Sequence, residues 1–235
     1  VPETELYLFP ITDFHGQNLT QQPLPIGTMA AWVNQSGGAR PRNAPSAAGE
    51  PGARLAYQQA LVVRSVAGKG VAWLEIADAT GAGTGQFIEA TALRVWTPTA
   101  RPVEVADGER WIDVDLKQQV LAILLGDKPE FITLISSGVA GHETPKGSFR
   151  IYDAFATAEM SSLAGADEPY EVEAVPWALH FKPRYLLHGS FWHCRFGTAV
   201  SHGCVNLSPA DARFVFGQVV PTLPPGFGRV NVTIP

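Results

Sequence analysis

Hydrophobic and polar positions in the first hundred residues form short runs that alternate and are broken by turns. β-Branched and aromatic residues gather in stretches that Gly, Pro, Asn and Ser clusters separate, a pattern typical of strands. No helical periodicity there extends beyond two turns. The predicted strands are 29–33, 54–57, 60–66, 71–77, 86–88 and 93–96, with 36–52 as a loop. Strands at this spacing predict a small all-β barrel.

The second half of the chain begins after a Pro-rich stretch, 97–102, that predicts a linker. Strands are predicted at 112–116, 119–125, 131–136 and 149–152, the first of them with strict alternation. Residues 153–173 carry six acidic side chains and no basic one, which predicts a lid, a binding loop or a solvated surface loop. One helix is predicted, because Ser208 is placed to cap it and Pro209 suits its first turn.

Composition and charge exclude several classes of protein. The 235 residues are 46% hydrophobic and 17% charged with a net charge of −5, so a disordered chain is excluded. Neither half is basic and no stripe of Lys and Arg is present, so we expect no nucleic-acid partner. The longest aliphatic run, 120–125, is far shorter than a membrane-spanning helix. No signal peptide is recognised at Val1, and we expect the chain to begin at a processing or cloning boundary.

Candidate chemistry is concentrated in residues 186–207. Three of the six histidines and both cysteines fall in this segment: His188, His193, Cys194, His202 and Cys204. A cysteine becomes a nucleophile when a nearby base can accept its proton, and successive amides in a Gly-containing turn can form an oxyanion hole. The same five donors could instead supply the four ligands of a tetrahedral zinc site. The residues alone leave both possibilities open.

Residues 26–97 resemble a bacterial SH3-like domain. The resemblance is carried by Ala39-Arg-Pro-Arg42, by Gly70-Val-Ala-Trp73-Leu-Glu-Ile76 and by Gly85-Gln-Phe-Ile88. Domains of that family often bind cell-wall peptides, and Trp73 is expected in the barrel core rather than at a ligand.

Residues 109–235 are similar to the catalytic domain of L,D-transpeptidases (YkuD type). The motif is His188-Gly189 followed by Ser201-His-Gly-Cys-Val-Asn-Leu207. Supporting stretches are 112–116, Ser136-Ser-Gly138, Thr144-Pro-Lys-Gly147, Val175-Pro-Trp177 and Asp211-Ala212. The fold class predicted is therefore mainly β: an N-terminal SH3-like small barrel, then an L,D-transpeptidase (YkuD-type) β-sandwich with few helices. The predicted domains are a 1–25 extension, 26–97, a 98–108 linker and 109–235.

The resemblance assigns a role to each residue that matches the motif. Cys204 would be the nucleophile, His188 its general base, and the carbonyl of Gly189 would orient the imidazole. The backbone amides of His202, Gly203 and Cys204 would hold the oxyanion. The His202 side chain would line the site, either as structural support or as a catalytic residue that helps in acid–base transfer. No metal or other cofactor is implied, which reduces the zinc reading to a minor alternative.

Further residues would shape the groove for the acyl donor. They are Asn206, Ser201, Trp177, Trp192 and Phe191. Asn206 stands where the family more commonly has Arg. His193 is expected to be a surface or groove residue rather than a catalyst. Cys194 is expected either as a small buried apolar side chain or as the disulfide partner of Cys204.

The family's acyl donor is a peptidoglycan stem tetrapeptide, cleaved before the fourth residue, D-Ala. The implied function is an L,D-transpeptidase that forms 3→3 cross-links through a cysteine thioester. Carbapenems acylate the same cysteine in the family. Alternatives are an L,D-carboxypeptidase of the same fold and a non-catalytic cell-wall-binding protein. We expect an extracytoplasmic location, in the cell envelope or periplasm.

Overall fold

The computed structural model describes residues 12–66, 72–161, 171–220 and 231–235. They form two compact units, residues 16–134 with 233–235 and residues 12–15 with 135–232. Both units consist mainly of strands, which confirms the predicted mainly-β fold class. The domain boundaries at 26–97, 98–108 and 109–235 stay predictions. In the described part of the chain, no helix has the length and apolar character needed to cross a membrane.

The unit of residues 16–134 contains two sheets. Its strands are β1 (Gln17–Asn18), β2 (Met29–Val33), β3 (Ala60–Ser65), β4 (Trp73–Ala77), β5 (Gly83–Glu89), β6 (Leu93–Val95), β7 (Arg110–Asp115), β8 (Val120–Leu125) and β9 (Lys128–Leu134). One sheet has the order β5-β4-β3-β2-β6 with antiparallel neighbours throughout. In the other, β1, β9, β8 and β7 are consecutive neighbours and pair antiparallel.

The five-stranded sheet occupies the region predicted as an SH3-like barrel, and that assignment stays a prediction. Its core contains Val33, Val63 and Ile88, whereas Trp73 is only half-buried, so the expectation of a core position for Trp73 is wrong.

The predicted strand at 54–57 is absent, and only a single bridge joins Leu55 to Ala39. The chain turns immediately afterwards, because Gln58 has φ 60° and the Gln59 side chain accepts the Ala56 N–H at 2.9 Å. Local hydrogen bonds therefore compete with strand pairing at residues 54–57.

The second unit positions the chemistry-bearing segment. Its elements are β10 (Gly147–Arg150), β11 (Asp153–Ser161), β12 (Glu171–Lys182), β13 (Tyr185–Gly189), β14 (Val205–Leu207) and α1 (Pro209–Val219), and the chain's last strand is β15 (Asn231–Ile234). Strands β11 to β14 form a sheet in sequence order. Neighbours are antiparallel except β13 and β14, which run parallel.

The acidic stretch 153–173, predicted as a loop or lid, is largely strand. β11 pairs with β12 from Asp153–His180 to Ser161–Glu171, and residues 162–170 lie outside the described part. The sequence feature that indicates β11 is an apolar residue at every second position, and this alternation ends at Ala158 and Met160. These two side chains pack against a buried cluster of the sheet. Alanine is a weak strand former, so this alternation is a weak signal for a strand. The acidic side chains of the stretch were the more prominent feature, and they favoured a loop.

The predicted helix is confirmed as α1. The Ser208 hydroxyl accepts the backbone N–H of Asp211 at 3.1 Å, which caps the first turn, and Pro209 is the first helical residue. The helix packs on β12, β13 and β14. A Cβ on Gly189 would lie 2.9 Å from Pro176 and 3.3 Å from Ala212, so glycine permits this close approach.

Candidate active site

The parallel pair β13–β14 brings the two halves of the predicted motif together. His188 lies opposite Asn206 in the register, and Cys204 immediately precedes β14. Register partners in neighbouring strands project from the same face of a sheet. In this register Cys204 lies level with Leu186, two positions before His188, so the histidine and the cysteine, 16 residues apart in sequence, belong to the same face of the strand pair.

His188 is a buried, oriented imidazole. Its side chain is 1% exposed, and Nδ1 lies 3.1 Å from the carbonyl oxygen of Gly189. A carbonyl only accepts, so Nδ1 carries the proton and Nε2 presents a lone pair. Nε2 has no hydrogen-bond partner among the residues that the structure describes. The ring stacks on Trp192 with centroids 5.7 Å apart.

Burial governs the protonation of His188. It lowers the pKa of the imidazole to about 4, against an opposing contribution from the Gly189 hydrogen bond, and His193 lowers it slightly further. The imidazole is therefore neutral near pH 7 and is able to accept a proton.

Cys204 is a buried thiol directly before the start of β14. Its side chain packs with Ala178 and Leu186, and Sγ lies 3.8 Å from the carbonyl oxygen of Arg184. Burial raises the pKa of the thiol to about 11, while the Leu186 backbone and the Arg184 charge oppose the rise. The resting thiol is therefore protonated, and its use as a nucleophile requires a base.

Ser201 fixes the turn that carries Cys204. Its hydroxyl donates to the Cys204 carbonyl at 2.6 Å and accepts the Gly203 N–H at 3.1 Å. Gly203 has φ 120°, a conformation that L-residues rarely adopt. Its amide, one of three predicted oxyanion donors, is thus engaged by Ser201 in this structure.

Thr144 holds the same turn from the other side. Its hydroxyl donates to the Gly203 carbonyl at 2.8 Å and accepts the Gly138 N–H at 3.0 Å. Gly138 forms a bridge with Ser201, and a Cβ on Gly138 would collide with the His142 carbonyl oxygen. Sequence analysis quoted Gly138 and Thr144 only as part of the family resemblance and gave neither a role. The structure shows that they support the cysteine turn.

A cavity of about 380 Å³ opens beside the thiol. Five of the predicted site residues line it: Trp192, Ser201, His202, Cys204 and Asn206. His202 is exposed, and its ring lies 4.8 Å from that of His142. The structure therefore brings five of the ten predicted site residues to this cavity, and the predicted base His188 is not among its lining residues.

Two predicted groove residues lie elsewhere. Trp177, at φ 57°, packs on Phe216 of α1 at 5.4 Å, with the Arg213 guanidinium 5.9 Å from its ring. Phe191 makes an edge contact of 5.0 Å with Trp192. Neither is among the cavity-lining residues, and Phe191 contacts the lining residue Trp192.

Sequence reasoning missed the lining residues Arg184 and Tyr185, whereas Met160 and Val172 belong to the acidic stretch 153–173, for which a binding loop was one expectation. Arg184 follows Pro183 in the two-residue turn between β12 and β13, with φ 70°. Proline followed by a left-handed residue is the pattern of a type II turn, although Gly or Asn usually fills the second position. A recognisable turn pattern was therefore present, but nothing local indicated that it faces the thiol.

The zinc alternative finds no support in the geometry. Within the described ranges, no three His, Cys, Asp or Glu side chains are arranged to hold a metal ion. Neither cysteine is in a disulfide; Cys204 is buried and Cys194 is half-buried.

Solved structures of L,D-transpeptidases resemble this chain. One from Enterococcus faecium has 25% identity and a TM-score of 0.47 over 55% of this chain and 50% of that chain. One from Stackebrandtia nassauensis has 27% identity and a TM-score of 0.42 over 56% and 57%. L,D-transpeptidase 3 from Mycobacterium tuberculosis, with a faropenem-derived adduct, has 16% identity and a TM-score of 0.47 over 70% and 68%. The chain thus spans about half the length of the Enterococcus faecium structure.

A search of curated proteins found no match. The family model of the L,D-transpeptidase catalytic domain (YkuD) matches residues 109–232, which is more than half of the chain. This range contains the His188-Gly189 pair, the Ser201–Leu207 motif and the residues that line the cavity beside Cys204. The chain therefore belongs to the L,D-transpeptidase (YkuD) family.

Proposed function

We propose that the chain catalyses cysteine-dependent acyl transfer on peptidoglycan stem peptides, as an L,D-transpeptidase. The observation that carries the proposal is a buried thiol and a buried imidazole on the same face of the β13–β14 pair. The Nε2 lone pair of His188 is left free by the Nδ1–Gly189 contact, and Cys204 lines the adjacent cavity.

In the proposed acylation, Cys204 Sγ attacks the carbonyl carbon of the third stem residue as His188 Nε2 takes the thiol proton. The tetrahedral oxyanion is held by backbone N–H groups of the 202–204 turn, to which Gly203 contributes only if its N–H exchanges the Ser201 hydroxyl for the oxyanion. The C–N bond to D-Ala then breaks, the imidazolium returns the proton to the leaving amine, and a thioester remains. The low pKa of His188 makes its imidazolium a strong acid for this last transfer.

The second half-reaction decides the product. A side-chain amine of another stem would attack the thioester and give a 3→3 cross-link, whereas water would give tripeptide, as in an L,D-carboxypeptidase. Both outcomes share the acylation step. The cavity beside Cys204 supports an acyl-donor site and does not by itself distinguish the acceptors.

The proposal extends to ligands and location. Carbapenems are expected to acylate Cys204, because they present an electrophilic carbonyl with a carboxylate nearby. The SH3-like region 26–97 is proposed to hold the protein at the cell wall, and the location is proposed to be extracytoplasmic. A wall-binding protein without catalysis is the remaining alternative.

The test uses the full chain with a stem tetrapeptide, alone and with an amine-bearing acceptor stem. Mass spectrometry of the products is expected to show released D-Ala and a cross-linked dimer in the presence of acceptor. Tripeptide alone would identify a carboxypeptidase. Cys204→Ala is expected to abolish both products, and Cys194→Ser is the matched control that retains them. No turnover by the wild-type chain with its thiol free would refute the proposal.

A further inference from the structure

His193 lies in the segment between β13 and the cysteine turn, next to the residues of the site. It is half-buried, and its ring contacts Trp192 and Phe196 at centroid distances of 6.4 and 5.1 Å. Each ring nitrogen has a neighbour. The backbone N–H of Arg195 donates to Nδ1 at 3.2 Å, and the side-chain amide of Asn206 lies 3.1 Å from Nε2.

The contact with Arg195 determines the tautomer. A backbone N–H can only donate, so Nδ1 of His193 must present its lone pair. Burial, with a smaller contribution from the charge of Arg195, lowers the pKa of His193 to about 4, so the ring is neutral near pH 7. A neutral imidazole carries one proton, which must therefore reside on Nε2.

The tautomer in turn determines the orientation of the Asn206 side-chain amide. The structure places Nδ2 of Asn206 at 3.1 Å from Nε2, but two donors cannot share this contact, so the amide is turned to bring its oxygen to Nε2–H. The other end of the amide is buried and has no hydrogen-bond partner among the described residues. With the oxygen toward His193, that end is an unsatisfied N–H donor on a residue that lines the cavity.

We propose that His193 is a positioning residue: its Nε2–H holds the Asn206 carboxamide so that the amide N–H is available to an oxygen of the acyl donor. The proposal rests on the proposed function for its substrate. A buried donor without a partner costs about 1–3 kcal/mol, and a substrate carbonyl or carboxylate oxygen would remove that cost on binding. Asn206 would thus recognise a hydrogen-bond acceptor without the positive charge of an arginine.

The first test needs no substrate. Long-range ¹H–¹⁵N NMR of the histidine rings in the whole chain distinguishes protonated from unprotonated ring nitrogens, and His193→Gln assigns the signals. We expect His193 to be protonated on Nε2 and unprotonated on Nδ1. A protonated Nδ1 would overturn the proposal, whether or not the chain has transpeptidase activity.

The second test measures KM for the tetrapeptide donor in two variants. His193→Gln retains an N–H donor near the Nε2 position, whereas His193→Phe fills similar space without a donor. We expect the Phe variant to raise KM by about tenfold, the equivalent of about 1.4 kcal/mol, and the Gln variant to stay close to wild type. Equal effects of the two variants would overturn the positioning role. Absence of activity in all three proteins would instead refute the proposed function, while the NMR result would stand.

Discussion

The hydroxyl of Thr144 is predicted to be a main structural support of the cysteine turn. It is the partner of both the Gly203 carbonyl and the Gly138 N–H, and Thr144 is 3% exposed. Thr144→Val keeps the shape and the methyl group and removes only this hydroxyl. Thr144→Ser is the matched control, because it keeps the hydroxyl and loses only a methyl group.

The expected loss of stability in Thr144→Val follows from the two backbone groups that lose their hydrogen-bond partner. A buried polar group that loses its partner costs about 1–3 kcal/mol. Gly203 is buried and Gly138 is half-buried, so water can partly replace the bond only at Gly138. We expect Thr144→Val to destabilise the unit by about 2–4 kcal/mol. The loss of a buried methyl group in Thr144→Ser should cost about 1 kcal/mol.

Urea unfolding measures the free energy of unfolding, and amide hydrogen exchange reports the hydrogen bond from the Gly138 N–H to the Thr144 hydroxyl. The Gly138 N–H is expected to lose protection in Thr144→Val and to retain it in Thr144→Ser. Acylation of Cys204 should slow in the Val variant, because the turn that carries the nucleophile loosens. Equal stability and equal Gly138 protection in the two variants would refute the assignment of this support to the hydroxyl.

Further predictions concern the same site. Gly203→Ala should lower the melting temperature and block acylation, because its φ is 120° and the added Cβ would lie 2.7 Å from a tyrosine ring; an unchanged melting temperature would contradict this. The pKa of His188 is about 4 when folded, below its ordinary value of 6.5, so the unfolded chain binds more protons between these values. Acidification from pH 6.5 to 4 should therefore lower the free energy of unfolding by about 3 kcal/mol because of His188. Urea unfolding of His188→Gln should show a smaller decrease over the same pH range. Trp192→Ala should raise the pKa of His188 toward its ordinary value by exposing the ring, which NMR titration would detect. Iodoacetamide should modify half-buried Cys194 faster than buried Cys204 at pH 7, as peptide mapping would show.

Much of the fold and of the site could be predicted from local pattern. Strands such as β2, and the capped helix α1, follow from short alternating runs and from Ser208 before Pro209. The His188 and Cys204 pair followed from a resemblance to a family motif, and the parallel β13–β14 register explains why that motif works.

The missed features depend on contacts between distant segments. Arg184 reaches the thiol only because β12 and β13 form a hairpin whose turn faces the cysteine. Trp177 was placed in the groove by its position beside Val175-Pro176, but its left-handed φ turns it toward α1. The acidic stretch was interpreted by its charge, whereas the small apolar residues between the charges determined its pairing.

The most direct test of the account is intact-protein mass spectrometry after incubation with a carbapenem, in reducing and in non-reducing buffer. The account predicts one covalent adduct per chain, mapped to Cys204, retained in Cys194→Ser and absent in Cys204→Ala. An adduct that persists in Cys204→Ala, or a wild-type chain that stays unmodified with its thiol free, would contradict the claim that Cys204 is the acyl-accepting nucleophile.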